Sequence, residues 1–373
     1  MAIKNNLDLD TAARALEQWW SSTHIPGASE VAVSNLEVPQ ASGMSSETVL
    51  FDVSWHSQTG PGNAALVARV IPAHNRVFRS YDFNQERQAM DAARSAGVPT
   101  PVVVAIEENP DVLGAPFLLM EQLPGRGLYD DPPYTVASWL LEWAAADQTR
   151  LLENSLEALA RLHKADITGF APETLGYPRD GAADSVEQHI DYWHDLYTWG
   201  CGGKSHPTIE AGFAWARENR PDLQHAPGLS WGDARIGNLL FDTTGTVTAV
   251  LDWELVALGP AELDLGWFLF IHRMYTQGLG LPDLAGFPDR ESVIATYERY
   301  AGRPVTNIDY YEVLAGLRVS TTIMRIGTMM IEMGLLPPDA TMPVTNPASL
   351  TLASLLGVEA PNTDQSSWIT GNR

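Results

Sequence analysis

Residues 229–254, LSWGDARIGNLLFDTTGTVTAVLDWE, contain the pattern that is most informative about the fold of this chain. The apolar run at 239–241 and the β-branched and apolar run at 247–251 predict two short strands, and the DTTG between them predicts the turn. Asn238 stands just before the first strand and Asp252 just after the second. We therefore expect a hairpin that brings these two side chains to the same end.

Three side chains in this stretch are of the kind that bind magnesium and aim a nucleophile at a phosphate: Asp233, Asn238 and Asp252. Mg²⁺ prefers oxygen ligands and is usually held by one or two protein groups together with substrate phosphates. A carboxylate and an amide oxygen at one hairpin end satisfy that requirement. The alternative is that all three are ordinary turn and cap residues, a use that aspartate and asparagine also favour.

The motifs in and after this stretch carry a family resemblance. An aspartate, an asparagine five residues later, a strand and a second aspartate resemble the catalytic loop and metal-binding aspartate of protein kinases. WGDARIGN, VLDWE and GPAELDLGW together resemble the aminoglycoside phosphotransferase-like family of small-molecule kinases. Within that family the chain is similar to the kinase-like domains linked to acyl-CoA dehydrogenases, from about Gly43 onward. The resemblance implies ATP and Mg²⁺ as cofactors.

The resemblance also implies the fold class and the domain division. We expect an α+β, bilobal, protein-kinase-like fold, because predicted strands dominate before Gly125 and predicted helices after it. The N-lobe, an antiparallel sheet plus a helix, would cover residues 1–122, a hinge 123–127, and a mostly helical C-lobe 128–373. In such a kinase the hinge backbone, here around Glu121 and Leu123, receives the adenine.

The remaining nucleotide-binding candidates lie in the predicted N-lobe. By resemblance Gly43, Ser45 and Ser46 form the nucleotide loop, since small residues let backbone N–H groups approach phosphate; the other interpretation is an ordinary turn. Arg69 is the one charge in a predicted buried strand, where protein kinases place a lysine paired to phosphates and to a helix glutamate, here Glu86. The alternative is an edge-strand arginine that reaches solvent.

The resemblance assigns roles to the catalytic segment. Asp233 would orient the acceptor hydroxyl or accept its proton, and Asn238 and Asp252 would hold Mg²⁺. Arg235 occupies the position of a cation directed toward the transferred phosphate. Asp264 would support the catalytic loop from behind, although a carboxylate in the first turn of a helix is also favoured by the helix dipole alone.

Two positions depart from the kinase pattern. A tryptophan, Trp231, replaces the histidine commonly found two residues before the catalytic aspartate; that histidine is a scaffold group, so we expect the site to tolerate its loss. Trp-Glu follows Asp252 where protein kinases have Phe-Gly, a replacement common in the small-molecule branch. With only six residues between Glu254 and Ala261, there is no recognisable activation segment, which argues against protein substrates.

The composition of the chain limits the classes of partner that it can bind. The 373 residues carry a net charge of −23, which argues against nucleic acid or an anionic membrane, because such surfaces require basic patches. The single cysteine, Cys201, permits no intrachain disulfide. No apolar leader or run long enough to span a membrane is present, so we expect a cytoplasmic protein.

Several expectations concern the expected C-lobe. A Trp/Ala-rich segment at 136–146 predicts a helix, and Ser185 with Gln188 predicts a capping box for the next one. His163 lies on an apolar helix face and is interpreted as a core histidine. Four aromatic side chains suit a hydrophobic acceptor pocket: Tyr192, Trp193, Trp267 and Tyr275. The alternative for the aromatics of the helix after Ser185, Tyr192 and Trp193 among them, is that they are core residues.

Two functional hypotheses follow. The first is an enzyme that phosphorylates a hydroxyl of a small molecule with ATP and Mg²⁺, with a hydroxyacyl compound or another hydrophobic alcohol favoured over an aminoglycoside. The second is a non-catalytic nucleotide-binding protein that keeps the fold as a sensor or partner module. The charged catalytic positions Asp233 and Asp252 are both filled, which favours the enzyme.

Overall fold

The computed structural model describes residues 8–39, 45–170 and 184–361. The chain divides into two units, the first formed by Met1–Arg87 with Pro101–Pro124 and the second by Gln88–Thr100 with Gly125–Arg373. The segment 88–100, which lies within the expected N-lobe, groups with the second unit, where the N–H of Val250 donates to the carbonyl of Pro99 (2.8 Å).

The first unit is built on a five-stranded antiparallel sheet. The strands are β1 (Ser29–Glu37), β2 (Glu47–Ser57), β3 (Gly60–Val70), β4 (Val103–Glu107) and β5 (Phe117–Glu121), preceded by helix α1 (Leu9–Trp19). Their order in the sheet is β1-β2-β3-β5-β4. Val49, Phe51 and Val53 alternate along β2 as buried residues, the two-residue period that a half-buried strand requires.

Strand β3 lies in the interior of this sheet, with β2 on one side and β5 on the other. Arg69 stands opposite Thr48 on one neighbour and Leu118 on the other, and it is 7% exposed. An edge-strand arginine that reaches solvent is therefore the wrong interpretation. Helix α2 (Phe83–Ser95), which carries Glu86, follows this strand in the chain.

The second unit is mostly helical. Its helices after α2 are α3 (Ala145–Leu162), α4 (Ser185–Gly200), α5 (Pro207–Glu218), α6 (Glu262–Tyr275), α7 (Arg290–Ala301), α8 (Ile308–Glu332) and α9 (Pro347–Leu356). Two small antiparallel sheets pair β6 (Gly228–Ser230) with β9 (Ala257–Gly259), and β7 (Leu239–Phe241) with β8 (Val247–Val250). None of the helices in the described ranges is both long and apolar enough to cross a bilayer.

Two local expectations were wrong. The segment 136–146 is not one helix: a 3₁₀ turn (Trp139–Glu142) is followed by α3 from Ala145. The side chain of Gln148 donates to the carbonyls of Leu140 (3.0 Å) and Trp143 (3.3 Å), and so supplies the hydrogen bonds that a continuous helix would have made with its own backbone.

The second correction concerns the start of α4. The N-cap is Asp184, whose carboxylate accepts from the N–H of Glu187 (3.0 Å), and Ser185 is already the first helical residue. Aspartate is as good a cap as serine, and here Asp184, the residue before Ser185, takes the N-cap position.

Helices α6 and α8 approach closely at the centre of the second unit. A side chain on Gly266 would place its Cβ 2.6 Å from the carbonyl carbon and oxygen of Tyr311, which are backbone atoms that cannot rotate away. Both helices are buried on most of their faces. Only glycine therefore allows this separation between the two helices.

We predict that Gly266→Ala destabilises the fold by about 1–3 kcal/mol, the usual cost of overpacking. Gly212→Ala in α5 is the matched control, since the atom nearest to its Cβ is the flexible end of the Leu317 side chain at 3.0 Å and it gains the same helix propensity. Urea unfolding followed by tryptophan fluorescence compares the two. Equal stabilities for the two variants would contradict the proposed role of Gly266.

Candidate active site

The predicted hairpin is present. Strands β7 and β8 pair antiparallel with Leu239 opposite Val250, and the N–H of Leu251 donates to the carbonyl of Asn238 (2.9 Å). Asn238 is the last residue before β7, and Asp252 lies two residues beyond β8. The two side chains therefore emerge at the same end of the hairpin, as the sequence predicts.

A buried carboxylate holds the loop that precedes this hairpin. Asp264, in the first turn of α6, is 0% exposed. One of its oxygens accepts from Ser230 Oγ (2.9 Å) and Gly232 N (2.8 Å), and the other from Trp231 N (2.7 Å) and His163 Nε2 (2.9 Å). Burial acts to raise the pKa of Asp264, but the His163 bond and the loop N–H groups lower it overall. Asp264 therefore supports the loop through direct hydrogen bonds, in addition to any favourable interaction with the helix dipole.

His163 is a satisfied core histidine, as expected. Its Nδ1 lies 2.7 Å from the hydroxyl of Tyr297, and its Nε2 binds Asp264. With both ring nitrogens occupied and a side chain that is 5% exposed, this histidine serves to complete the support of the loop.

Trp231 connects the loop to the second aspartate. Its indole N–H donates to the carbonyls of Leu251 (2.9 Å) and Asp252 (3.1 Å). Asp252 itself has φ = 60°, a left-handed conformation that aspartate tolerates better than most residues. The tryptophan thus fixes the backbone that presents the Asp252 carboxylate.

Asp233 is bound on both carboxylate oxygens. Arg235 Nε lies 3.0 Å from each of them. Oδ2 also accepts from the Asn238 amide nitrogen (2.7 Å), and Oδ1 accepts from the indole N–H of Trp267 (2.7 Å). Neither contact is predicted from the sequence, which indicates Mg²⁺ binding for Asn238 and an acceptor pocket for Trp267.

Arg235 lies between two carboxylates. Its Nε binds Asp233 and its Nη1 binds Asp130, in the loop before α3. Burial acts to lower the pKa of Arg235, but the carboxylates of Asp130 and Asp233 raise it well above its ordinary value. Sequence reasoning missed Asp130, because an acid 105 residues away in an irregular loop leaves no spacing signal.

Arg318, on α8, is fully buried behind the loop. Its guanidinium carbon lies 4.5 Å from the ring centroid of Trp267 and 5.2 Å from that of Trp193, and its Nη2 donates to the carbonyl of Gly232 (2.8 Å). Trp193 is 0% and Trp267 4% exposed. The expectation that these two rings line an open acceptor pocket is therefore wrong, because both pack on a buried cation.

The nucleotide candidates of the first unit form a cluster of their own. Arg69 Nη1 lies 2.5 Å from Glu86 Oε2, with both side chains buried, and Arg69 Nε donates to Ser46 Oγ (3.3 Å). The hydroxyl of Tyr81 donates to the carbonyl of Ser45 (2.7 Å). The pair predicted from sequence is thus formed.

Three further nucleotide candidates stay predictions. Gly43 lies outside the described residues. Glu121 ends β5, and its N–H donates to the carbonyl of Val102 (3.0 Å), so it can offer only its carbonyl to an adenine. Leu123 follows two residues later and is half-buried. The expected hinge at 123–127 also stays a prediction.

The comparison with protein families decides the family. A model of the phosphotransferase enzyme family matches residues 41–313, about three quarters of the chain. This chain belongs to that family. The match includes Asp233, Asn238 and Asp252, whose geometry is described above.

Curated relatives and solved structures agree with this assignment. Acyl-CoA dehydrogenase family member 10 of Mus musculus is 27% identical over 298 residues, covering 75% of this chain but 26% of its own length. Family member 11 of Homo sapiens is 26% identical over 248 residues, with 65% and 30% covered. The chain therefore spans about a third or less of these relatives.

Among solved structures, aminoglycoside phosphotransferase APH(4)-Ia in a ternary complex with ADP and hygromycin B matches with a TM-score of 0.58 and 18% identity. The match covers 93% of this chain and 100% of that one. This likeness establishes the fold: bilobal and kinase-like, with an antiparallel sheet in the N-terminal part and helices in the C-terminal part, as the sequence predicts.

We predict that Asp264→Asn lowers the free energy of unfolding at neutral pH by at least about 2 kcal/mol, since an amide nitrogen would face buried donors. The pKa of Asp264 is lower in the folded protein than its ordinary value of 3.8. Its contribution is therefore fully present above pH 3.8 and is lost as pH falls through the folded pKa.

Urea unfolding of wild type and variant across this pH range checks that prediction. Asp289→Asn is the control, because Asp289 is an exposed cap of α7 that asparagine can replace. The difference between wild type and Asp264→Asn should shrink toward acid pH, and a difference that stays constant would contradict the assignment.

Proposed function

We propose that this chain is a small-molecule kinase that transfers the γ-phosphoryl group of ATP to a hydroxyl in a Mg²⁺-dependent reaction. The observation that carries the proposal is the Asp233 carboxylate, held by Arg235, Asn238 and Trp267 beside a hairpin end that presents Asn238 and Asp252. Phosphoryl transfer depends mainly on positioning and charge neutralisation, so few residues are required.

The hairpin end fits a magnesium ion. The amide nitrogen of Asn238 donates to Asp233, so its amide oxygen is the atom that remains for a metal. Asp252 adds a carboxylate, and one or two protein ligands with phosphate oxygens are the usual Mg²⁺ set. When bound there, Mg²⁺ would neutralise charge on the phosphates of ATP.

Asp233 would act on the acceptor. Both of its oxygens are held in place, so the carboxylate can orient an incoming hydroxyl and receive its proton with little reorganisation. Nε and Nη1 of Arg235 bind carboxylates, so the transferred phosphate would be met through Nη2.

Arg69 would bind the upstream phosphates of the nucleotide. Glu86 orients its Nη1 and Ser46 its Nε, and a guanidinium fixed in this way suits phosphate recognition. Ser45 and Gly43 would complete the nucleotide loop, and the backbone at Glu121 and Leu123 would receive the adenine.

The acceptor class rests on the relatives. Their names link them to acyl-CoA dehydrogenases, which favours a hydroxyacyl compound or another hydrophobic alcohol over an aminoglycoside. A protein substrate is disfavoured, because the residues between Asp252 and α6 form β9, paired with β6, and leave no length for an activation segment.

We predict that Asp233→Ala still binds Mg·ATP, because Asp233 lies outside the proposed metal pair, but loses transfer by about 10²–10⁴-fold, the usual contribution of a positioned base. Asp252→Asn is the contrasting variant and should weaken Mg·ATP binding, since one charge facing the cation is lost. Calorimetric titration with Mg·ATP and ADP release with a panel of hydroxyacyl, alcohol and aminoglycoside acceptors measure the two effects.

The outcomes separate the hypotheses. Transfer by Asp233→Ala at near the wild-type rate would remove Asp233 from the mechanism. A wild-type protein that binds Mg·ATP but transfers to no hydroxyl or water would favour the non-catalytic nucleotide sensor.

We predict further that Arg69→Ala reduces affinity for ATP much more than for adenosine, because only ATP carries the phosphates. The single change removes the cation that faces the buried Glu86 carboxylate, so stability also falls. The double variant Arg69→Ala/Glu86→Ala removes that buried carboxylate as well and should recover stability without recovering ATP affinity. Equal losses for the two ligands in the double variant would make Arg69 structural.

A further inference from the structure

We propose that Trp267 is a positioning residue for Asp233, and that Arg318 fixes Trp267 for this task. The inference rests on the proposed function for its kinetic consequence, because Asp233 acts on the acceptor there. Its structural part stands on contacts within the second unit alone.

The contact itself is short and directional. Trp267 Nε1 lies 2.7 Å from Asp233 Oδ1, a distance typical of a hydrogen bond to a charged acceptor. Asn238 supplies the corresponding donor to Oδ2 at 2.7 Å. With a separate donor on each oxygen, rotation of the carboxylate about its Cβ–Cγ bond breaks two hydrogen bonds at once.

Arg235 alone cannot fix this orientation. Its Nε is equidistant, at 3.0 Å, from both oxygens of Asp233, so it attracts the carboxylate without distinguishing them. The same guanidinium also binds Asp130, whose side chain is 38% exposed. Trp267 is 4% exposed and its ring is held on a buried face, so it is the more rigid donor.

Arg318 explains why the indole is rigid. The guanidinium carbon lies 4.5 Å from the Trp267 ring centroid and 5.2 Å from that of Trp193, within the range of cation–π attraction. Its Nη2 donates to the carbonyl of Gly232, the residue before Asp233. One buried cation therefore positions both the donor to Asp233 and the backbone that carries Asp233.

Packing alone would not require an indole here. A phenylalanine ring could also lie against Arg318, but it has no N–H to donate. The substitution Trp267→Phe thus removes the donor and keeps an aromatic surface, which separates positioning from core filling.

The chain offers a matched control in Trp139. Its indole N–H donates to the carbonyl of Gly127 at 2.8 Å, and the guanidinium carbon of Arg126 lies 4.6 Å from its ring. Trp139→Phe therefore also loses an indole hydrogen bond beside an arginine, but the acceptor is a neutral carbonyl and not Asp233.

The deciding experiment is an NMR spectrum of the tryptophan indole N–H groups in the full-length, ¹⁵N-tryptophan-labelled protein. Trp267→Phe and Trp139→Phe assign the two resonances by their loss. In Asp233→Ala the Trp267 indole proton should shift upfield, because it loses a charged acceptor, while the Trp139 proton stays in place. An unchanged Trp267 resonance in a folded Asp233→Ala protein would overturn the proposal.

The kinetic arm measures the consequence. Trp267→Phe should lower kcat for phosphoryl transfer by roughly ten- to a hundredfold, the range for a lost hydrogen bond to a charged group, with Mg·ATP affinity unchanged. Trp139→Phe should keep the wild-type rate. A wild-type kcat in Trp267→Phe would overturn the positioning role. Absence of transfer in the wild-type protein would count against the proposed function, and the NMR result would then decide whether Trp267 binds Asp233.

Discussion

The rest of the site depends on one buried carboxylate, Asp264. A fully buried charge is costly unless its hydrogen-bonding capacity is met, and here Ser230, Trp231, Gly232 and His163 all donate to it. Two of these donors are consecutive backbone N–H groups, so the loop cannot change conformation without leaving the carboxylate short of partners. The conformation of the segment that leads to Asp233 is therefore determined by an acid on α6 that lies 32 residues after Gly232 in the chain.

The loop is held by charges of both signs. Asp264 binds the N–H of Gly232, and Arg318 binds its carbonyl, so the peptide groups on either side of one glycine are fixed from two helices. The glycine is required there for steric reasons: its φ is 91°, and a Cβ would lie 2.0 Å from the carbonyl oxygen of Leu255. A residue with a side chain would displace the loop from both partners. Packing against Leu255 therefore requires glycine at the middle position of the segment Trp-Gly-Asp.

The sequence predicted the parts of the site that are close together in the chain. The hairpin, and with it the placement of Asn238 and Asp252 at one end, follows from two short strands with a turn between them. Trp267, Arg318 and Asp130 could not be found in this way. They reach the loop from 34, 86 and 105 residues away, through contacts that depend on how the helices pack. Trp267 illustrates the limit. Its aromatic ring suits an acceptor pocket, but only the structure shows that it is buried against Arg318 and donates to Asp233.

Four side chains around Arg235 and Tyr134 have protonation states that do not change near neutral pH: Arg235, Tyr275, Tyr134 and His272. Carboxylates hold the pKa of Arg235 well above its ordinary value against the effect of burial. Burial raises the pKa of Tyr275 and Tyr134. The hydroxyl of Tyr134 contacts Nδ1 of His272 (2.8 Å), and burial lowers the pKa of this histidine to about 4. Around neutral pH the arginine is therefore charged, and the two tyrosines and the histidine are neutral. These four side chains therefore keep a constant charge around neutral pH, so their titration would not contribute to the pH dependence of the proposed transfer.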